Sequence, residues 1–333
     1  ILERERLTLK ATTLAQVLQT AGYTTGIFGK WHLGDEPEYW PSRRGFTEMF
    51  IHGAGGIGQS YPGSCGDVPG NKYFGPTILH NGKFVKTTGY CTDVFYSQAT
   101  QWMDAQRQAG KPFFCYIPSN APHAPYNARP EDKALYRDNI YSMTKYHQEE
   151  MVLLIGKTYG IPAVAPRFFN VYGPRQSLSN PYAGVAAIWL SRLLNGKPPI
   201  VFEDGGQLRD FVSIHDVVDC LVLMLEKSGA DYLPVNVGSG ETVTILEIAR
   251  LLQRLLGSTI EPEVTQQGRK FDIRHNTADI TRARETLGFA PKVSLEAGFT
   301  ELIEWARTTP DVAQDFFDKA LDELKAKGLL VQS

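Results

Sequence analysis

From Tyr141 onward, short apolar runs alternate with stretches of helical length, and this pattern limits the fold more than any other feature. A helix over 141–159 precedes the strand "PAVAPRFF" (162–169). Then come a helix over 182–194, a strand at 199–202, a helix over 215–227, the strand "PVNVG" (234–238), a helix over 244–256 and a mostly helical tail. Strands joined through helices run parallel, because each connection must cross over, so the order predicts parallel α/β units. Before residue 140 the texture differs. An amphipathic helix in "TLAQVLQTAG" (13–22) leads to a strand in "YTTGIFGKW" (23–31), a Gly/Pro-rich excursion over 34–89, a helix near 93–109 and the strand "PFFCYIP" (112–118). The excursion is too long for an ordinary connection and reads as a functional loop. The seam between the two textures falls near 137–141, and no internal repeat is visible.

At 333 residues the chain has room for two domains with cores. Its 42% apolar and 21% charged residues, with a net charge of −2, offer no basic surface for nucleic acid. No apolar run approaches the ~20 residues that cross a bilayer. "ILERERLTLKATT" opens as though inside a domain, which predicts a fragment. Cys65, Cys91, Cys115 and Cys220 lack metal-ligand spacing, so no metal site is expected from them. A Cys65–Cys91 disulfide is open if this part is exported, and thiols are the alternative.

"HGAGGIG" (52–58) carries Gly53, Gly55 and Gly58 at dinucleotide-fingerprint spacing. That fingerprint needs a helix starting on the glycines and an acid about 20 residues on to take the ribose. Pro62, Pro69 and Pro76 follow instead, and the ribose window "TILHNGK" has no carboxylate. The loop reads as a glycine-rich surface loop. Lys30 and His32 in "GKWHLG" and His123 in "SNAPHAPY" each stand just past an apolar strand, where α/β sheets place their sites. Cationic donors at i and i+2 of an extended segment share a side and suit sulfate or phosphate.

"TLAQVLQTAGYTTGIFGKWHLG", "RRGFTEMFIHGAGGIGQ" and "KPFFCYIPSNAPHAPY", in that order, resemble an internal stretch of the type I sulfatases over roughly residues 7–136. The resemblance implies part of an alkaline-phosphatase-like α/β domain in which Lys30, His32 and His123 contact a sulfate ester. That family's nucleophile arises from a Cys/Ser-x-Pro-x-Arg motif beside a calcium ion. Tyr39 and Trp40 precede Pro41 here, so no convertible residue stands there, and the calcium ligands lie outside the matching stretch.

"YSMTK" (141–145) is a Tyr-x-x-x-Lys, common by chance, yet i and i+4 share a helix face. Lys145 there lowers the pKa of the Tyr141 phenol and makes it a usable acid/base. "PRFFNVYGPRQ" (166–176), "DGGQLRDFVSIHDVVD" (204–219) and "DIRHNTADITRARETLGFAP" (272–291) resemble the extended short-chain dehydrogenase/reductases, the NAD-dependent nucleotide-sugar epimerases and dehydratases, over roughly 139–308. The resemblance implies a partial Rossmann-type domain with Tyr141 as catalytic acid/base and Lys145 orienting the nicotinamide ribose. Asn170 and the backbone after Pro166 then line the substrate and cofactor pocket. Arg209 and Arg274 grip the diphosphate of the sugar nucleotide. The family's NAD-binding strand, loop and helix have no counterpart among the preceding residues.

Together these readings imply residues 1–138 as a partial sulfatase domain, 139–310 as the substrate half of an epimerase/dehydratase and 311–333 as a helical tail. The main expectation is a truncated or chimeric chain with no complete active site. Its alternatives are an epimerase or dehydratase completed by another chain or missing segment, and a non-catalytic module binding sugar nucleotide or sulfated glycan. The parent compartments differ, cytoplasmic for the epimerase and exported for the sulfatase.

Overall fold

The computed structural model describes residues 7–53, 56–58, 66–119, 140–178, 184–269, 273–308, 315, 317–326 and 330–332. They divide into two compact units, Ile1–Lys145 and Tyr146–Ser333.

In the first unit α1 (Leu14–Thr20) begins on Thr13, whose hydroxyl accepts from the Gln16 N–H while the Gln16 side chain accepts from the Thr13 N–H. That reciprocal cap fixes the helix start. Strands β1 (Thr24–Lys30), β2 (Glu48–His52), β3 (Thr77–His80) and β4 (Lys83–Lys86), helix α2 (Cys91–Gln108) and β5 (Phe113–Tyr116) follow. The sheet order is β4-β3-β2-β1-β5. Strand β1 runs parallel to β2 and β5, and β3–β4 is an antiparallel hairpin. Alternation along the strands sends Phe28, Phe50 and Ile78 against Phe95 and Ala99 of α2. Ile27, Met49, Ile51 and Leu79 face the other way, toward Ala15 of α1, Trp31 and Phe46.

The Gly/Pro-rich stretch is therefore not one long loop, because it supplies three of the five strands. "HNGK" held the missed signal. Asn81 and Gly82 sit at φ 47° and 86°, the backbone of a tight hairpin turn matched to strand twist.

Helix α3 (Ile140–Tyr159) spans the boundary between the units. After it come β6 (Ala165–Phe168), β7 (Asn170–Tyr172), α4 (Val185–Leu194), β8 (Ile200–Val201), β9 (Leu208–Arg209), β10 (Phe211–Ser213) and α5 (Ile214–Glu226). The remaining elements are β11 (Pro234–Val237), β12 (Val243–Thr244), α6 (Ile245–Leu256), β13 (Glu263–Val264), β14 (Gln267–Arg269), α7 (Thr281–Leu287), α8 (Leu295–Thr308), α9 (Phe317–Ala326) and β15 (Leu330–Gln332). As the alternation predicts, β6 and β11 pair in parallel, and so do β7–β10 and β8–β13, which add the strands β7, β10 and β13 that the sequence pattern did not mark. The pairs β9–β12 and β14–β15 are antiparallel.

One core gathers Trp189, Leu190, Ile248, Leu252, Phe299 and Leu302 from α4, α6 and α8. The Trp189 indole N–H donates to the Ile200 carbonyl at 2.9 Å, so its polar edge is satisfied inside that core. A second core packs Val217 and Cys220 of α5 and Ala283 and Leu287 of α7 on Val212, Val235 and Val237. Among the described residues no helix is long and apolar enough to cross a membrane.

Candidate functional site

Strand β9 carries Arg209 at the end of "DGGQLR", and the segment 273–276 runs beside it. The Leu208 N–H donates to His275 Nδ1 at 3.2 Å, and the Asn276 N–H donates to the Leu208 carbonyl at 3.0 Å. Those bonds bring Arg209 and Arg274 together. Arg209 Nη1 donates to the Leu208 and Arg274 carbonyls at 2.9 and 2.8 Å, and Nη2 to the Ile273 carbonyl at 2.7 Å. Arg274 reaches Glu203 Oε2 through Nη1 at 2.5 Å and Asp204 Oδ2 through Nη2 at 2.8 Å. The Arg274 hydrogen bond holds the Asp204 carboxyl below the usual carboxylate range.

Asp210 is the residue that sequence reasoning missed. It is fully buried, and its carboxylate accepts from Ser239 N–H at 2.7 Å, Ser239 Oγ at 2.9 Å and Gly240 N–H at 2.8 Å. It ties the loop after β11 to the strand region bearing Arg209. Only its position directly after Arg209 hinted at this. The Asn170 N–H donates to the Asp210 carbonyl at 3.1 Å, so the half-buried Asn170 starts β7 beside the same residue. Pro166 lies in β6 opposite Val235 of β11.

Tyr141 and Lys145 both lie on α3, one turn apart, in the part of that helix belonging to the first unit. Desolvation by the surrounding chain lowers the Lys145 pKa from the ordinary lysine value, although the residue keeps contact with solvent.

In the first unit Lys30 is the last residue of β1, the Trp31 N–H donates to the His52 carbonyl, and His32 takes φ 48°. The extended backbone stops at Lys30, so strand alternation does not set the two side chains on one side. What they share is the C-terminal end of a central parallel strand. His123 lies outside the described residues, as do Gly55 and Cys65. Gly53 follows β2 directly, and a Cβ there would stand 2.8 Å from the Gly66 Cα and 2.5 Å from Asp35 Oδ1. Its N–H donates to the Gly66 carbonyl at 2.8 Å. The glycine thus permits two backbones to touch, and among the described residues no helix starts between β2 and β3. Also among these residues, no group of three or more His, Cys, Asp or Glu is placed to hold a metal ion.

Residues 97–238 match the NAD dependent epimerase/dehydratase family, a span that starts inside α2, ahead of the seam expected near 137–141, and ends just after β11. The dTDP-L-rhamnose 4-epimerase of Burkholderia thailandensis is 38% identical over 168 residues, which are 50% of this chain and 46% of that protein. The UDP-glucose 4-epimerase of Mycolicibacterium smegmatis is 38% identical over 138 residues, 41% of this chain and 43% of that protein. The chain thus spans about half the length of these curated relatives. Among solved structures, the UDP-N-acetylglucosamine 4-epimerase from Methanobrevibacter ruminantium M1, in complex with UDP-N-acetylmuramic acid, superposes with a TM-score of 0.52 at 24% identity. That match covers 66% of this chain and 70% of that one, and it shows a shared α/β, Rossmann-like fold. Over about half of its length the chain is therefore similar in sequence to nucleotide-sugar 4-epimerases, and its fold is similar to that of one of them.

Proposed function

We propose that α3 and the second unit supply the substrate-binding half of a nucleotide-sugar epimerase or dehydratase, with the dinucleotide-binding half provided by another chain or segment. The observation that carries this reading is the pairing of Arg209 and Arg274 on adjacent segments, each a planar donor suited to phosphate oxygens. The relatives named for dTDP- and UDP-sugars point to the same ligand class. In this reading the two guanidinium groups bind the diphosphate and Asn170 orients the sugar. The Tyr141 phenol takes a proton from a sugar hydroxyl and returns it. The Lys145 ammonium favours the phenolate and holds the ribose next to the nicotinamide. Lys145 and Tyr141 would hold NAD, whose chemistry when bound would be the reversible uptake of hydride. In this reading Tyr141 and Lys145 serve the nicotinamide side of that cofactor, and Gly53, packed against Gly66, takes no part in holding its pyrophosphate.

The test is a graft in which residues 1–138 are replaced by the N-terminal half of a related epimerase. Nucleotide-sugar chemistry is expected, with Tyr141→Phe slowing turnover by ~10²–10⁴-fold while the cofactor stays bound. A folded, NAD-bound graft inactive on UDP-, GDP- and dTDP-sugars would overturn the assignment.

For the first unit a second reading rests on Lys30 and His32 at the C-terminal end of β1. With His123 they would hold a sulfate-ester-like anion, as the sulfatase resemblance implies. The described residues do not fit a calcium site, so no hydrolytic step is assigned. Titration with inorganic sulfate should move the His32 ring resonances and leave the second unit's unchanged. Unmoved His32 resonances would remove this reading.

A further inference from the structure

Within the second unit α3 folds back along the chain that follows it. The Ile161 N–H donates to the Gly156 carbonyl at 2.9 Å, and a Cβ on Gly156 would stand 2.8 Å from the Ala163 Cβ. Earlier on the helix, Glu149 meets Arg167 of β6. The contact moves toward the helix start as it moves along the strand, so α3 runs antiparallel to β6. At Glu149 that contact is a fork: Arg167 Nε donates to Oε2 at 2.6 Å and Nη2 to Oε1 at 2.5 Å. The Glu149 side chain is only 10% exposed, against 48% for Arg167, so the carboxylate has left water and depends on this one partner's charge. A fork fixes distance and orientation together, which a single hydrogen bond does not. Tyr141, Lys145 and Glu149 are spaced by four, which in a helix puts them on one face with a rise of about 6 Å at each step. Glu149 is the member of that row anchored to β6.

We propose that Glu149 and Arg167 are positioning residues for Tyr141 and Lys145: their pairing fixes how far α3 extends along β6 and which face it presents to that strand. The inference rests on the nucleotide-sugar reading above for the chemistry that Tyr141 and Lys145 perform, and on the helix geometry for the rest. A slip of one residue moves a helix by about 1.5 Å and turns its face by about 100°. Misplacement of ~1 Å is already enough to cost catalysis up to ~10²-fold, so a charged fork one turn from Lys145 guards a narrow tolerance.

Lys145 in the full chain supplies the readout, because its ammonium is partly desolvated where it stands. Its titration is followed by NMR of isotope-labelled lysine side chains in wild type, Glu149→Gln and Arg167→Lys, with urea unfolding to show that each variant is folded. If the fork positions the helix, either change lets α3 shift and Lys145 gain water, and its pKa rises toward the ordinary lysine value. Direct charge effects point elsewhere. Loss of the Glu149 carboxylate would by itself lower the Lys145 pKa, and Arg167→Lys, which keeps the charge and lacks the fork, would leave it in place. A fall or no change in Glu149→Gln overturns the positioning role; should that variant fail to fold, no change in Arg167→Lys overturns it. In the graft carrying an epimerase N-terminal half, Arg167→Lys should lower kcat roughly tenfold with KM nearly unchanged, and an active graft whose kcat does not move also overturns the role. A graft inactive on every sugar nucleotide before any substitution at these positions overturns only the nucleotide-sugar reading, and the Lys145 titration still decides the positioning.

Discussion

Ile27 and Phe28 are neighbours on β1 and fill different cores, so the first unit's sheet is covered on both faces by residues that alternate along single strands. In the second unit the described strands pair two by two, and side chains distant in sequence hold them in place. Asp210 binds the loop at Ser239 and Gly240. Asp216, also buried, accepts from the Lys292 and Val293 N–H groups. Arg192 is buried and pairs with Asp315 and Asp318, with its guanidinium carbon 5.2 Å from the Phe317 ring centre. Both units thus bury charges with specified partners, Arg44 at the Thr8 and Ala11 carbonyls and Asp67 at the Gly58 N–H and Asn71 in the first, and the second carries the longest-range of them in Arg192. The second unit also leaves Val218, Leu221, Val222 and Leu225 exposed along one stripe of α5.

The largest test removes one aromatic from each unit. Phe28→Ala and Trp189→Ala should each cost about 3–5 kcal/mol, since both rings are almost fully buried. Amide exchange should rise in the first unit for Phe28→Ala and in the second for Trp189→Ala. Equal loss of protection in both units from either change would break the contrast between them.

A smaller effect sharpens it. Asp210→Ala strands the Ser239 and Gly240 N–H groups and should cost about 3 kcal/mol by urea unfolding. Gly53→Ala, which forces a methyl against the Gly66 backbone, should cost about 1–3 kcal/mol by the same measurement. If Asp210→Ala proves neutral, the second unit does not depend on its polar locks.

The smallest effect is chemical. Burial pushes the Cys115 thiol up to about 12 and that of Cys220 up to about 11. At pH 8 both lie well above the ambient value, so both stay protonated in the native chain. Peptide-resolved alkylation should find both slow to react until the chain is unfolded, Cys115 in the first unit and Cys220 in the second. Rapid native labelling of one alone would show that its unit opens locally.

The alternation of strands and helices, the strands β6, β8 and β11, and the helices α1 to α6 were legible in the sequence, because each depends on a pattern within one short stretch. The short strands β9 and β10 were not, since Arg209 and Asp210 interrupt their apolar run. The Asn81–Gly82 turn was present as a dipeptide, yet the surrounding glycines and prolines masked the hairpin it makes. Arg209 and Arg274 were visible as candidates through their motifs, but 64 residues separate Arg209 from Ile273, whose carbonyl it meets. Only the tertiary fold could bring these segments together, put Glu203 and Asp204 on Arg274, and bury Asp210 among the N–H groups it satisfies. Local patterns are decided by neighbours along the chain, whereas a buried charge finds partners wherever the packing brings unpaired donors close.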